Sequence, residues 1–250
     1  MNDEKDRRRF LQYSLAALAA PGLVSAASRT GANDAGTAGR AAPHIVLLGD
    51  SIFDNASYTG GKPDVIAQLR KILPAEWKAT LLARDGATTE GIPDQIDRLP
   101  PDATHLVLSV GGNNALMQQH LLQARTATVS EGLTVLADAV HRFEAAYRKV
   151  IAACLARKLP FTVCTVYNGN FPDPGYRIVT SSAIALFNDA ILRSAVEHKL
   201  KVIELRLVCT LPEDYANPIE PSSAGAAKIA RAILASLNAR AAENGATILS

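Results

Sequence analysis

The sequence predicts an α/β fold, a three-layer α/β/α sandwich built around a five-stranded parallel sheet. Three observations predict it. From residue 44 onward the chain alternates strand-like apolar runs with segments of helical periodicity. Runs such as His105-Leu106-Val107-Leu108-Ser109-Val110 are too continuously apolar for a sheet with one face in water, so helices are expected on both faces. The connections are short, and right-handed crossovers between parallel strands then lead to the doubly wound order 2-1-3-4-5.

Taken in order, strands are expected at residues 44–48, 77–82, 104–110, 161–166 and 201–205. Between the third and fourth, Leu133, Leu136, Ala137, Val140, Phe143, Ala146, Tyr147, Val150 and Ile151 recur at helical spacing; Ile184, Leu186, Phe187, Ala190 and Ile191 do so before the fifth. A last helix over 222–237 is opened by the cap-like Pro221-Ser222-Ser223. Residues 238–250 carry little apolar pattern and read as a tail. No internal repeat interrupts 44–237, which is therefore one domain, and 48% apolar residues suffice for its core.

Residues 1–27 read as a signal peptide. Asp6-Arg7-Arg8-Arg9-Phe10-Leu11-Gln12 is basic, the apolar stretch from Tyr13 to Ala20 is too short to span a bilayer, and small residues follow at Ser25-Ala26-Ala27. The paired arginines before Phe-Leu resemble a twin-arginine (Tat) signal, which predicts a periplasmic or secreted product with no stable membrane insertion after signal removal. Residues 28–43, rich in Ala, Gly, Thr and Ser, read as a flexible linker. The formal charge of +2 offers no electrostatic case for nucleic acid. Three cysteines leave at least one thiol unpaired in a monomer; a Cys164–Cys209 bond would need neighbouring strands, and buried thiols are the expected state. No His and Cys spacing suits a metal, and no cofactor is expected.

Ligands of such a sheet bind beyond the carboxyl ends of its strands, and this rule sorts the polar residues. Ser51, Gly86, Asn113, Asn114, Tyr167, Asn168 and Asn170 all follow strands and share one rim. Acyl transfer by serine needs a hydroxyl on a tight turn, a base, and donors for the oxyanion. Gly49 permits the turn, Ser51 is expected at a helix amino terminus, Gly86 brings a backbone N–H unobstructed by a side chain, and Asn113 brings an amide. The Gly-x-Ser-x-Gly elbow of α/β-hydrolases has no match here.

Gly49-Asp50-Ser51, Gly86 and Gly111-Gly112-Asn113-Asn114, in this order, resemble blocks I, II and III of the SGNH (GDSL) hydrolase family over roughly residues 44–237. The resemblance implies a flavodoxin-like sheet, a nucleophilic Ser51, and oxyanion donors at Gly86 and Asn113; Asn114, Tyr167 and Asn168 become candidates for substrate contact. Block V departs from the family. Where Asp-x-x-His is usual the chain reads Asn217-Pro218-Ile219-Glu220-Pro221-Ser222, so Glu220 takes the histidine position and Asn217 the aspartate position. Glu220 is then the expected base, its pKa raised by apolar neighbours, with Asn217 holding its carboxyl. Of five histidines only His120 lies on the correct side of the sheet. Two functions stay open: an exported serine esterase or deacetylase acting on a small ester, such as an acyl group on a carbohydrate, and a non-catalytic SGNH-like binding protein for glycan or envelope ligands.

Overall fold

The computed structural model describes residues 42–240 and 245–250, and the expectations for residues 1–41, signal peptide and most of the linker, lie outside them. The elements run β1 (His44–Gly49), α1 (Val65–Ile72), β2 (Lys78–Leu81), α2 (Ile92–Ile96), β3 (His105–Ser109), α3 (Gly112–Leu116), α4 (Val129–Leu155), β4 (Phe161–Cys164), α5 (Pro174–Glu197), β5 (Lys201–Ile203), α6 (Leu205–Val208), α7 (Ser223–Asn238) and β6 (Thr247–Leu249). Every strand pairing is parallel, in the order β2-β1-β3-β4-β5-β6. The expected five strands are present in the expected order. A sixth corrects the count: Thr247-Ile248-Leu249, within the segment read as a tail, pairs with β5 through Lys201, Val202 and Ile203. Three residues are too few to show alternation in a sequence, yet they cap the open edge of β5.

Alternation along the buried strands sends side chains into two cores. Ile45 and Leu47 of β1 pack with Val65, Leu69, Ile229 and Ile233 of α1 and α7. Val46 and Leu48 pack on the opposite face with Ile92, Val140, Tyr147 and Ile191 of α2, α4 and α5. All four β1 side chains are fully buried, each contributing about 1.5–3 kcal/mol relative to exposure. The three layers thus follow from strands that are apolar on both faces.

Local signals start the helices. The Thr128 hydroxyl accepts from the Glu131 N–H at 3.1 Å while the Glu131 carboxylate accepts from Ala127 N–H at 2.9 Å, opening α4. Asp173 caps α5 by accepting from Tyr176 N–H, with Pro174 at its first position. Ser222 caps α7, accepting from Ala224 and Gly225 N–H. Glu144 of α4 accepts from Arg148 of its own helix and from Arg193 of α5, tying the two helices together. All three cysteines are buried and free; burial pushes the Cys154 and Cys209 thiols up to about 12, so neither is an available nucleophile. Among the described residues no helix is long and apolar enough to cross a membrane.

Candidate active site

The site begins where β1 meets β3. Gly49 has φ +134°, and a Cβ there would stand 1.9 Å from the Ser109 carbonyl oxygen, so only glycine fits. The buried Gln95 amide holds both backbone groups of this residue, accepting from Gly49 N–H at 2.7 Å and donating to its carbonyl at 2.8 Å. Asp50 N–H then donates to Ser109 O at 3.1 Å, and the Phe53 and Asp54 N–H groups both donate to Asp50 O at 3.1 Å. Ser51 therefore stands on a single tight turn. The expected helix amino terminus is corrected: α1 begins only at Val65, after a loop that Asn55 secures by accepting from Val65 N–H and donating to Pro221 O, both at 3.0 Å.

Across this turn lies Glu220. The Ser51 hydroxyl donates to Glu220 Oε1 at 3.1 Å, and the two residues are only 6% and 5% exposed. The other oxygen, Oε2, is buried without a protein partner. Burial lifts the Glu220 carboxyl from its ordinary 4.5 to about 7; the bond from Ser51 works against this, and the charge of Asp85 adds a smaller push. Asp50 is likewise raised by burial from 3.8 to about 7, opposed by the N–H of Ile52 and reinforced by the charge of Glu220. Asp50 and Glu220 are thus both carboxyl groups of reduced acidity, and Glu220 is the one that accepts from the Ser51 hydroxyl.

The 217–222 segment is held from several sides. Asn217 Oδ1 accepts from the Ile219 and Glu220 N–H groups, each at 2.9 Å. It braces the backbone of this turn and leaves the carboxyl alone, which corrects the expectation that its amide would hold Glu220's side chain. Tyr167 donates its hydroxyl to Ile219 O at 2.7 Å, Asn170 N–H donates to Pro218 O at 2.8 Å, and Ala216 N–H donates to Glu220 O at 2.8 Å. Asn188, fully buried in α5, accepts from Val166 N–H at 2.8 Å and donates to Val166 O at 2.7 Å. The loop that carries Tyr167 is thereby fixed as Gln95 fixes Gly49.

The structure brings Ser51, Asn113, Tyr167, Asn168 and Glu220 to the wall of one cavity of about 970 Å³, mouth included. Asn113 gives one amide hydrogen to Ala87 O at 2.9 Å and has a second to offer. The other candidates lie off this wall. Gly86 is exposed, with φ +76°, and a Cβ there would meet nothing within 4 Å. Its backbone conformation, and not want of space, favours glycine; its N–H enters no hydrogen bond among the described residues. Asn114, expected as a substrate contact, accepts from Thr89 N–H at 3.1 Å and donates to Thr89 Oγ1 at 3.0 Å. Tyr167 lines the cavity with its ring alone, since its hydroxyl is engaged. His120 is exposed beside Met117 O, and no histidine reaches the cavity. Among the described residues no group of His, Cys, Asp or Glu is arranged for a metal.

Asp50, Gln95 and Asn188 are the site-building residues that sequence reasoning did not single out. Asn188 carried a usable signal, a polar residue among Phe187, Ala190 and Ile191 on a buried face, where an unpaired amide would be costly. Gln95, in a five-residue helix, carried none.

Solved structures share the fold. An extracellular lipase from Streptomyces rimosus is 17% identical with a TM-score of 0.58, covering 79% of this chain and 99% of its own. A phospholipase A1 from Streptomyces albidoflavus NA297 is 16% identical with a TM-score of 0.60 over the same shares. A catalytic mutant of an acetylxylan esterase from Geobacillus stearothermophilus is 16% identical with a TM-score of 0.55, over 79% of this chain and 95% of that one. Curated protein sequences yield no match. The family model of the GDSL-like lipase/acylhydrolases matches residues 47–228, from β1 into α7, and the chain belongs to that family.

Proposed function

We propose that this protein is a serine esterase in which Glu220 replaces histidine as the general base. The observation that carries the reading is the buried hydrogen bond of 3.1 Å from Ser51 Oγ to Glu220 Oε1. A carboxylate of ordinary acidity is a weak base at neutral pH; one raised to about 7 is matched to taking a serine proton there. Ser51 Oγ attacks the ester carbonyl carbon as its proton passes to Glu220. The tetrahedral oxyanion is met by the second amide hydrogen of Asn113, with the backbone N–H of Ser51 as a further donor. Glu220 then returns the proton to the departing alcohol oxygen, leaving an acyl-Ser51 ester. A water molecule attacks this ester, gives its proton to Glu220, and the proton returns to Ser51 Oγ as the carboxylic acid leaves.

The test is hydrolysis of p-nitrophenyl butanoate by wild type, Ser51→Ala and Glu220→Gln. The reading expects kcat/KM to fall on the order of 10⁴ in either variant, and wild-type activity to rise with pH through about 7 as Glu220 ionises. Hydrolysis retained in Glu220→Gln would overturn the base. No hydrolysis by the wild type would favour the alternative of a non-catalytic binding protein. We further propose export by the twin-arginine route, supported by Arg7-Arg8 ahead of Phe10-Leu11; Arg7→Lys with Arg8→Lys should hold the protein in the cytoplasm.

A further inference from the structure

The cavity is asymmetric in chemistry. Its reactive groups come from segments that follow strands, whereas its far wall is made by helices α4 and α5. From α5, Tyr176, Thr180, Ala183, Ile184 and Phe187 face it at spacings of one helical side. From α4, Leu136 and Ala139 face it, joined by Leu116 and Leu122 from the segment between β3 and α4. Of the two hydroxyls on the α5 stripe, that of Thr180 donates to Tyr176 O of its own helix at 2.9 Å, and that of Tyr176 is carried on a ring packed edge-on against Phe171. Gln118 and Gln119 add amides from the segment after α3, and the other lining residues of α4 and α5, Leu136, Ala139, Ala183, Ile184 and Phe187, are apolar.

The helices show the same asymmetry along their lengths. Buried residues of α4 begin only at Ala139 and those of α5 only at Phe187, although both helices carry apolar residues well before these points. Their C-terminal parts close on each other through the Phe143–Phe187 ring contact at 5.1 Å and the Arg193–Glu144 ion pair. Their N-terminal parts leave the cleft open. An apolar lining left unfilled by the chain's own side chains suits an apolar ligand.

We propose that this cleft receives the apolar acyl chain of the substrate, and that Ala183 and Ala139, the small residues on its two helical walls, set the chain length it accepts. The proposal rests on the serine esterase reading for its link to Ser51. The stripe from Tyr176 to Phe187 spans about 16 Å of helix, enough for an acyl chain of roughly eight to twelve carbons. A carbohydrate acetate would leave the apolar walls from α4 and α5 without a partner. The preferred ester is therefore a medium-chain or longer acyl ester, in place of the small carbohydrate ester that the sequence suggested.

The test joins turnover with binding. Across p-nitrophenyl acetate, butanoate, octanoate and dodecanoate, wild-type kcat/KM should climb about fourfold per methylene, on the order of 10² from butanoate to octanoate. In Ala183→Trp the octanoate-to-acetate ratio should fall at least tenfold, with Ala183→Leu intermediate and circular dichroism showing all variants folded. Calorimetry of Ser51→Ala with sodium decanoate should show one binding site, weakened at least tenfold by adding Ala183→Trp. A folded Ala183→Trp with an unchanged ratio, or preference for acetate or acetylated xylo-oligosaccharide, overturns the acyl cleft while leaving the esterase standing. Decanoate binding that Ala183→Trp weakens, in a protein that turns over no ester, supports the cleft and overturns the esterase.

Discussion

Replacing Glu220 by Gln should inactivate the protein and stabilise it, a combination that a merely structural carboxylate would not give. The side chain is 5% exposed and its pKa is lifted from 4.5 to about 7, chiefly by burial. Below about pH 4.5 the carboxyl is protonated whether the chain is folded or not. Between about 4.5 and 7 the unfolded chain has lost the proton and the folded one has kept it, so stability falls as pH rises; above about 7 the loss is complete. At about 1.4 kcal/mol per pH unit the full loss is about 3 kcal/mol. Gln is neutral at every pH, keeps the shape, and can still accept from Ser51. At pH 8 Glu220→Gln should therefore exceed the wild type by up to about 3 kcal/mol, or roughly 6–12 °C in melting temperature for a domain of this size. At pH 5 the two should melt within about 3 °C of each other. Thermal melts followed by circular dichroism at both pH values decide it. A variant no more stable than wild type at pH 8 would refute the reasoning, because Glu220 would then be comfortably ionised where it sits.

Three further outcomes follow from the site's construction. Gly49→Ala should cost about 3 kcal/mol or more in urea unfolding, since its Cβ would collide with Ser109 O at 1.9 Å in a left-handed backbone region. Gln95→Leu should cost about 1–3 kcal/mol by the same measurement, because the buried N–H of Gly49 loses its partner, while its carbonyl keeps the bond from Arg84 N–H. Tyr167→Phe should cost only about 1 kcal/mol of stability, yet lower kcat about tenfold with little change in KM, because the Ile219 carbonyl that anchors the Glu220 turn is released.

The five principal strands, their order and the rim on which the polar residues gather were legible because β1 and β3 are apolar on both faces and helical periodicity separates the later apolar runs. β6 was not, being three residues long and defined by its pairing with β5 more than by its own composition. α5 was legible only from Ile184 onward. Its first half faces a cavity and leaves Ile178 and Val179 exposed, so no core-facing stripe marks it, although Asp173-Pro174 supplies the cap and first-turn proline that locate its start. Within the site, residue type pointed to Ser51, Asn113 and Glu220, which now line one cavity. Partner assignments were harder. Asn114 and Asn217 are polar, well placed in sequence and spent on Thr89 and on backbone N–H groups, which only three-dimensional contacts could show. The burial of Asp50 beside Ser51 was hidden for the same reason, since Gly-Asp-Ser is also ordinary turn composition.

In the proposed mechanism buried Glu220 activates Ser51. Labelling by a fluorophosphonate probe, followed by intact mass and peptide mapping from pH 5 to 9, tests it without any assumption about the natural ester. A single adduct is expected on Ser51, its rate of formation rising with pH through about 7 and then levelling, and falling on the order of 10³ or more in Glu220→Gln. Labelling of Glu220→Gln at the wild-type rate, or a wild-type Ser51 that never reacts, would contradict it.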